Sequence, residues 1–202
     1  MSYGRLSNSH LIQKYGFTMA DNPYNQLSVT APYHDYQAIV SEEAKLKQQV
    51  RSRLSFPNTS SRMLFSLFKG RFNADTIRQT RLNLLTSKSI MEFLPDQGDL
   101  TSTQHFLERE TFKEPLDPEN EQMSFEYLIS TLEGYLSHLK PREHYLSSAG
   151  NLESSLDSLD KFHQLNIARL HLDEVDILKG NLEYLVKAKD TNIRSFYERG
   201  GK

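Results

Sequence analysis

Tyr3-Gly4-Arg5-Leu6-Ser7-Asn8-Ser9-His10-Leu11-Ile12-Gln13-Lys14-Tyr15-Gly16-Phe17 sets two tyrosines twelve residues apart, each followed by a glycine. Ser7 or Asn8 is placed to cap a short helix by accepting a bond from a free backbone N–H. Leu11 and Ile12 give that helix an apolar side, and Gly16 supplies the positive-φ residue that ends it. A tyrosine ring offers a flat apolar face and one hydroxyl that needs a partner when buried. Two phenols held close together make a polar-rimmed aromatic wall, suited to a narrow channel that strips water from an amine.

Just beyond, Asp21-Asn22-Pro23-Tyr24-Asn25 is a strong turn signal. Leu27-Ser28-Val29-Thr30 alternates apolar and polar like a short strand, and Pro32 limits its run. It is the one convincing strand in the sequence, and a lone strand cannot satisfy its own backbone.

This opening resembles the closing segment of a SET domain, of the class related to the Rubisco large-subunit lysine methyltransferase. That class reads Tyr-Gly, Ser-Asn, Leu and Tyr-Gly-Phe at this spacing, followed by an Asp-Asn-Pro-like turn. Tyr3-Gly4, Ser7-Asn8, Leu11, Tyr15-Gly16-Phe17 and Asp21-Asn22-Pro23 supply all five. The resemblance implies that Tyr3 and Tyr15 line the methyl-transfer channel and that Phe17 lies beside the methyl-donor pocket. The lone strand is expected to pair with the rest of a SET fold, with another chain, or at most in a small local ribbon. The strands, insert and Asn-His segment that hold S-adenosylmethionine in the class precede this position, where the chain has Met1 and Ser2. Tyr3 and Tyr15 are therefore read either as channel residues or as relics that now serve packing.

The chain has 202 residues, a net charge of -2 and 37% hydrophobic residues. Its mean hydropathy of -0.61 is on the polar side. These totals predict one folded domain, or one with an appendage, and favour neither nucleic acid nor an anionic membrane as a partner. With no cysteine, disulfides, thiol catalysis and cysteine-based zinc sites are excluded. No apolar run reaches bilayer-spanning length and no signal pattern opens the chain. The expected location is cytoplasmic or nuclear, an organelle not being excluded.

From about Ala38 the period becomes helical. Ile39, Leu46, Val50 and Leu54 mark one side of a helix that Phe56-Pro57-Asn58 breaks. Met63-Leu64-Phe65-Ser66-Leu67-Phe68 is a compact apolar run read as a short buried helix, with a β-structured approach to the next helix as the alternative. Asn73 is expected to cap a helix from Ala74 to about Leu85, with Ile77, Leu84 and Leu85 inward. A shorter helix is expected over Lys88–Leu94, a turn at Asp96–Asp99, and an ordered loop with one helical turn between Thr101 and Asn120. Another helix starts at Met123 and ends before Pro141. Asn151 to Asp160 reads as a loop or a frayed helix start. Leu165, Ala168, Leu172, Val175, Leu178, Leu182 and Leu185 then step by three or four residues, the mark of an amphipathic helix of roughly 25–30 residues. Arg169, Asp173, Asp176, Lys179 and Glu183 are assigned to its other faces, and Gly200-Gly201 to a frayed tail.

This second part resembles the helical substrate-binding domain that follows the same SET class. Arg81-Leu82-Asn83-Leu84-Leu85 and Arg169-Leu170-His171-Leu172-Asp173-Glu174-Val175-Asp176-Ile177-Leu178 match its leucine-rich segments in order. The expected fold is thus mainly α. Residues 1–37 form a small SET C-terminal remnant with at most one or two short strands, and 38–202 a helical substrate-binding-like bundle.

None of the seven histidines stands in a metal-ligand spacing, and no nucleophile elbow, phosphate loop or dinucleotide fingerprint is present. No metal site is expected. Ten basic residues between Lys45 and Lys88 face one acid, Asp75, whereas ten acids between Glu92 and Glu126 face Arg109 and Lys113. Such segregation serves either an acidic partner or, the favoured reading, packing between the two regions and solvated faces.

Taken together, the chain reads as a fragment or reduced relative of a SET-domain protein-lysine N-methyltransferase that acts mainly by binding a protein substrate or partner. The alternatives are a non-catalytic structural subunit of a larger complex, and an enzyme completed by an N-terminal lobe encoded elsewhere. S-adenosylmethionine is the cofactor of the class, and this chain alone is expected neither to bind it tightly nor to methylate.

Overall fold

The computed structural model describes residues 4–32, 45, 47–48, 62–85, 115, 117–154 and 157–200, side chains being described as far as 192. The expected helix around Ala38–Leu54 falls mostly outside the described residues, although Lys45, Lys47 and Gln48 are helical. The break at Phe56-Pro57-Asn58, the Lys88–Leu94 helix, the Asp96–Asp99 turn and most of the 101–120 loop also lie outside them.

The described elements are α1 (Asn8–Tyr15), β1 (Gln26–Pro32), β2 (Arg62–Phe68), α2 (Ala74–Asn83), α3 (Pro118–Ser137), α4 (Arg142–Glu153) and α5 (Leu159–Gly200). The protein is mainly helical with one small antiparallel sheet, as the sequence predicts. The sheet pairs β1 with β2, so the strand's partner is a local ribbon. Met63–Phe68 corrects its helical reading. Met63, Phe65 and Leu67 are each 1% exposed, while Leu64, Ser66 and Phe68 are half-buried. That two-residue period is a strand's. The sequence hides it because every residue of the run but Ser66 is apolar, so both faces look alike.

α2 follows its expectation. Asn73 Oδ1 accepts from the Asp75 N–H at 3.1 Å, and Ile77, Leu84 and Leu85 are buried. α3 begins at Pro118, five residues ahead of Met123. Proline in a first helical turn sacrifices an N–H that has no intrahelical partner anyway. Asp117 Oδ1 accepts from the Asn120 N–H at 2.7 Å and completes the start. The loop expected as far as Asn120 is therefore helical from Pro118 onward. α4 was not anticipated, because only Tyr145 and Ala149 of its twelve residues are buried. α5 runs for 42 residues, longer than its apolar stripe alone suggests.

The chain divides into two compact units. The first gathers the described residues of Met1–Ser28, Ser66–Phe72 and Thr131–Tyr184. One apolar cluster in it joins Ala149, Leu165 and Ala168, with Leu152 and Leu172 packed on it. The second gathers those of Val29–Phe65, Asn73–Ser130 and Leu185–Lys202. It buries an ion pair among apolar residues such as Phe65, Leu82 and Leu128. Arg81 grips Glu121 through Nε–Oε2 at 2.6 Å and Nη2–Oε1 at 2.7 Å, the side chains being 3% and 0% exposed. Asn192 adds a bond to Glu121, and Asn120 Nδ2 donates to the Arg81 carbonyl. The basic and acidic regions of the sequence meet in this pair. Lys47, 1% exposed, donates to the Asn83 carbonyl at 3.0 Å. Tyr127 donates its hydroxyl to the Pro32 carbonyl, and burial pushes its phenol up to about 12. Lys189 donates to Glu126 and draws its exposed carboxyl below the usual range. Among the described residues, no helix is long and apolar enough to cross a membrane.

Candidate functional site

α1 presents the Tyr-Gly-Phe motif, and its geometry follows from two left-handed glycines. Gly4 has φ 74° and Gly16 has φ 76°, a region open to glycine at little steric cost. The Gly16 N–H donates to the Ile12 carbonyl at 3.0 Å and ends the helix, as expected. Ser7 occupies the N-cap position, but its hydroxyl serves Ser9 Oγ at 2.8 Å and His10 Nδ1 at 2.7 Å rather than a backbone N–H. The cap comes from the turn instead. Asn25 Oδ1 accepts from the Asn8 N–H at 2.9 Å.

Asn8 is fully buried, and each side-chain bond it can form is made. Its Nδ2 donates to the Met19 carbonyl at 2.9 Å and to Asp173 Oδ2 at 2.6 Å. Its Oδ1 accepts from the Met19 N–H at 3.0 Å and from Asn22 Nδ2 at 3.1 Å. Asn22 also donates to the Leu6 carbonyl and accepts from the Tyr24 N–H, closing the turn in which Asp21 adopts φ 50°. Asn166 of α5 accepts from both the N–H and the hydroxyl of Thr18, at 2.7 and 2.8 Å. Thus Ser-Asn and Asp-Asn-Pro bracket Tyr15-Gly16-Phe17 and tie it to α5 by hydrogen bonds.

Tyr15 closes α1 and is 53% exposed, with its ring centroid 6.3 Å from that of half-buried Phe17. Tyr3 lies outside the described residues, and with it the tyrosine pair. A methyl-transfer channel excludes water from its rings. Tyr15 has about half its surface open to solvent. Sequence reasoning passed over Asn166 and Asp173. Asp173 is not a solvated surface residue: its side chain is only 14% exposed and is held by Asn8 and by Lys69 at 3.5 Å.

Beside α1, a cleft of about 220 Å³ opens between β1 and α5, lined among others by Ser9, Asn25, Leu27, Leu170, Glu174 and Ile177. All of its residues belong to the first unit. Among the described residues, no group of three or more His, Asp or Glu side chains is arranged to hold a metal ion.

No protein-family model and no curated protein matches the sequence. Solved structures do match the fold. The SET domain of LSMT bound to methyl-lysine and AdoHcy aligns with 97% of this chain at a TM-score of 0.69 and 12% identity. The chain has an LSMT-like fold. Rubisco LSMT bound to sinefungin and monomethyllysine aligns with 94% of it at 0.64 and 12% identity, and Rubisco LSMT bound to AdoMet with 91% at 0.62. The chain spans about two fifths of the length of these proteins, 41% of the first and 40% of the second.

Proposed function

We propose that the chain is a fragment or reduced relative of a SET-domain protein-lysine N-methyltransferase of the Rubisco LSMT class, acting mainly as a module that holds a protein substrate or partner. Residues 1–37 take the part of the SET C-terminal segment, and residues 38–202 that of the helical substrate-binding domain. The observation that carries this reading is the alignment of 97% of the chain with 41% of a SET-domain structure that holds methyl-lysine. The intact Tyr15-Gly16-Phe17 motif, fixed by Asn8 and Asn166, supports it. In this reading Tyr3 and Tyr15 keep the positions of the channel tyrosines and Phe17 that beside the donor. Tyr15 closes α1 rather than lining a sealed channel, because half its surface is too open to desolvate an amine. S-adenosylmethionine, which supplies the methyl group in the class, is not held by this chain alone.

Calorimetric titration of the full chain with S-adenosylmethionine is expected to give no binding in the micromolar range. Radiolabelled donor is expected to leave no methylated protein product. Micromolar binding accompanied by methyl incorporation would replace the binding module with an enzyme.

A further inference from the structure

We propose that the cleft between β1 and α5 seats the lysine or arginine side chain of a protein partner. The inference deepens the partner-binding reading above by naming what is gripped. Leu27, Leu170 and Ile177 supply an apolar lining for the methylenes of such a side chain, which readily bury their stems while the charge stays near water. Two carboxylates line the same space, Asp173 and Glu174.

These two differ in what they have left to offer. Asp173 is committed on both oxygens, Oδ2 to Asn8 at 2.6 Å and Oδ1 to Lys69 at 3.5 Å. Glu174 spends only Oε2, on His171 Nδ1 at 2.8 Å. Its side chain is 23% exposed, so Oε1 is free to accept from a cation at the mouth of the cleft. His10, the other titratable group of the lining, is tied to Ser7 through Nδ1. A second observation points the same way. Asn25 lines the cleft at 2% exposure, and its Nδ2 has no hydrogen-bond partner. A buried donor without an acceptor is destabilising, and a carbonyl of the incoming chain would supply the acceptor that Nδ2 lacks.

The charge and the stem can be tested separately in the full ¹⁵N-labelled chain by titrating acetylated Ala-Ala-Lys-Ala-Ala and its norleucine counterpart. The lysine peptide is expected to shift the Asn25 side-chain amide and the Ser28 and Glu174 backbone signals to saturation. Norleucine and Glu174→Gln should each weaken this roughly tenfold, the worth of one charge-assisted bond. Equal binding of the norleucine peptide, shifts confined to other residues, or no saturable shift would each overturn the assignment. A partner that still binds the Glu174→Gln chain with unchanged affinity would sink the cleft and leave the binding-module reading standing.

Discussion

Asn8 and Asp173, 165 residues apart in sequence, are joined by a hydrogen bond of 2.6 Å from Nδ2 to Oδ2. The bond fastens the Tyr-Gly-Phe segment to the long helix, and the other Asn8 bonds fasten it to the turn that follows. Asn8→Ala should destabilise the fold by about 2–4 kcal/mol, because it strips several partly buried groups of partners at once. Asn8→Asp should be worse, since it sets two carboxylates against each other. Adding Asp173→Asn should recover part of that loss by restoring a donor to the pair. Urea denaturation of the wild-type chain, these three variants and Asp173→Asn alone checks this, and additive effects in the double variant would disprove the coupling.

The Arg81–Glu121 pair predicts a different asymmetry. Arg81→Met or Glu121→Leu alone leaves a buried, uncompensated charge, at a cost of about 3–5 kcal/mol. Together they remove both charges and fill similar volume. The double variant is therefore expected to be more stable than either single one, as read by thermal and urea unfolding. If the double variant loses as much as the sum of the two, the pair is not acting as a unit.

The helices were legible because their apolar spacing is local: Ile77, Leu165, Ala168, Val175 and Leu178 all lie where the period places them. The strand β2 was not, because Met63–Phe68 is apolar on both faces and its partner lies some thirty residues away. Pro118 and α4 failed for other reasons, one a breaker placed at a permitted position, the other a helix with too few buried residues to leave a stripe. At the candidate site, the motif spacing was legible while its fastening was not. Nothing local to Asp173 or Asn166 says that each receives a bond from the first twenty residues.

Gly16 gives a test of backbone strain free of crowding. A Cβ added there would meet only His163 Cε1, at an ordinary 3.8 Å. Gly16→Ala is thus opposed by its φ of 76° alone and should cost about 1–2 kcal/mol. Gly16→Asn, which tolerates this region better, should cost less. Equal losses for the two would mean that contact with His163, not backbone conformation, sets the penalty.

Tyr127 carries the clearest pH dependence. Burial raises its phenol from the ordinary value near 10 to about 12, so the folded state holds the proton longer than the unfolded state does. The stability this group contributes is fully present below pH 10 and is lost as pH rises toward 12. Tyr127→Phe removes both that dependence and the bond to the Pro32 carbonyl, the latter worth about 1 kcal/mol. The difference in unfolding free energy between the wild-type chain and Tyr127→Phe should therefore be flat up to pH 10 and shrink above it. Contributions common to the two proteins cancel from the comparison. A difference that stays constant through pH 12 would mean that the Tyr127 hydroxyl ionises as freely in the folded chain as in the unfolded one.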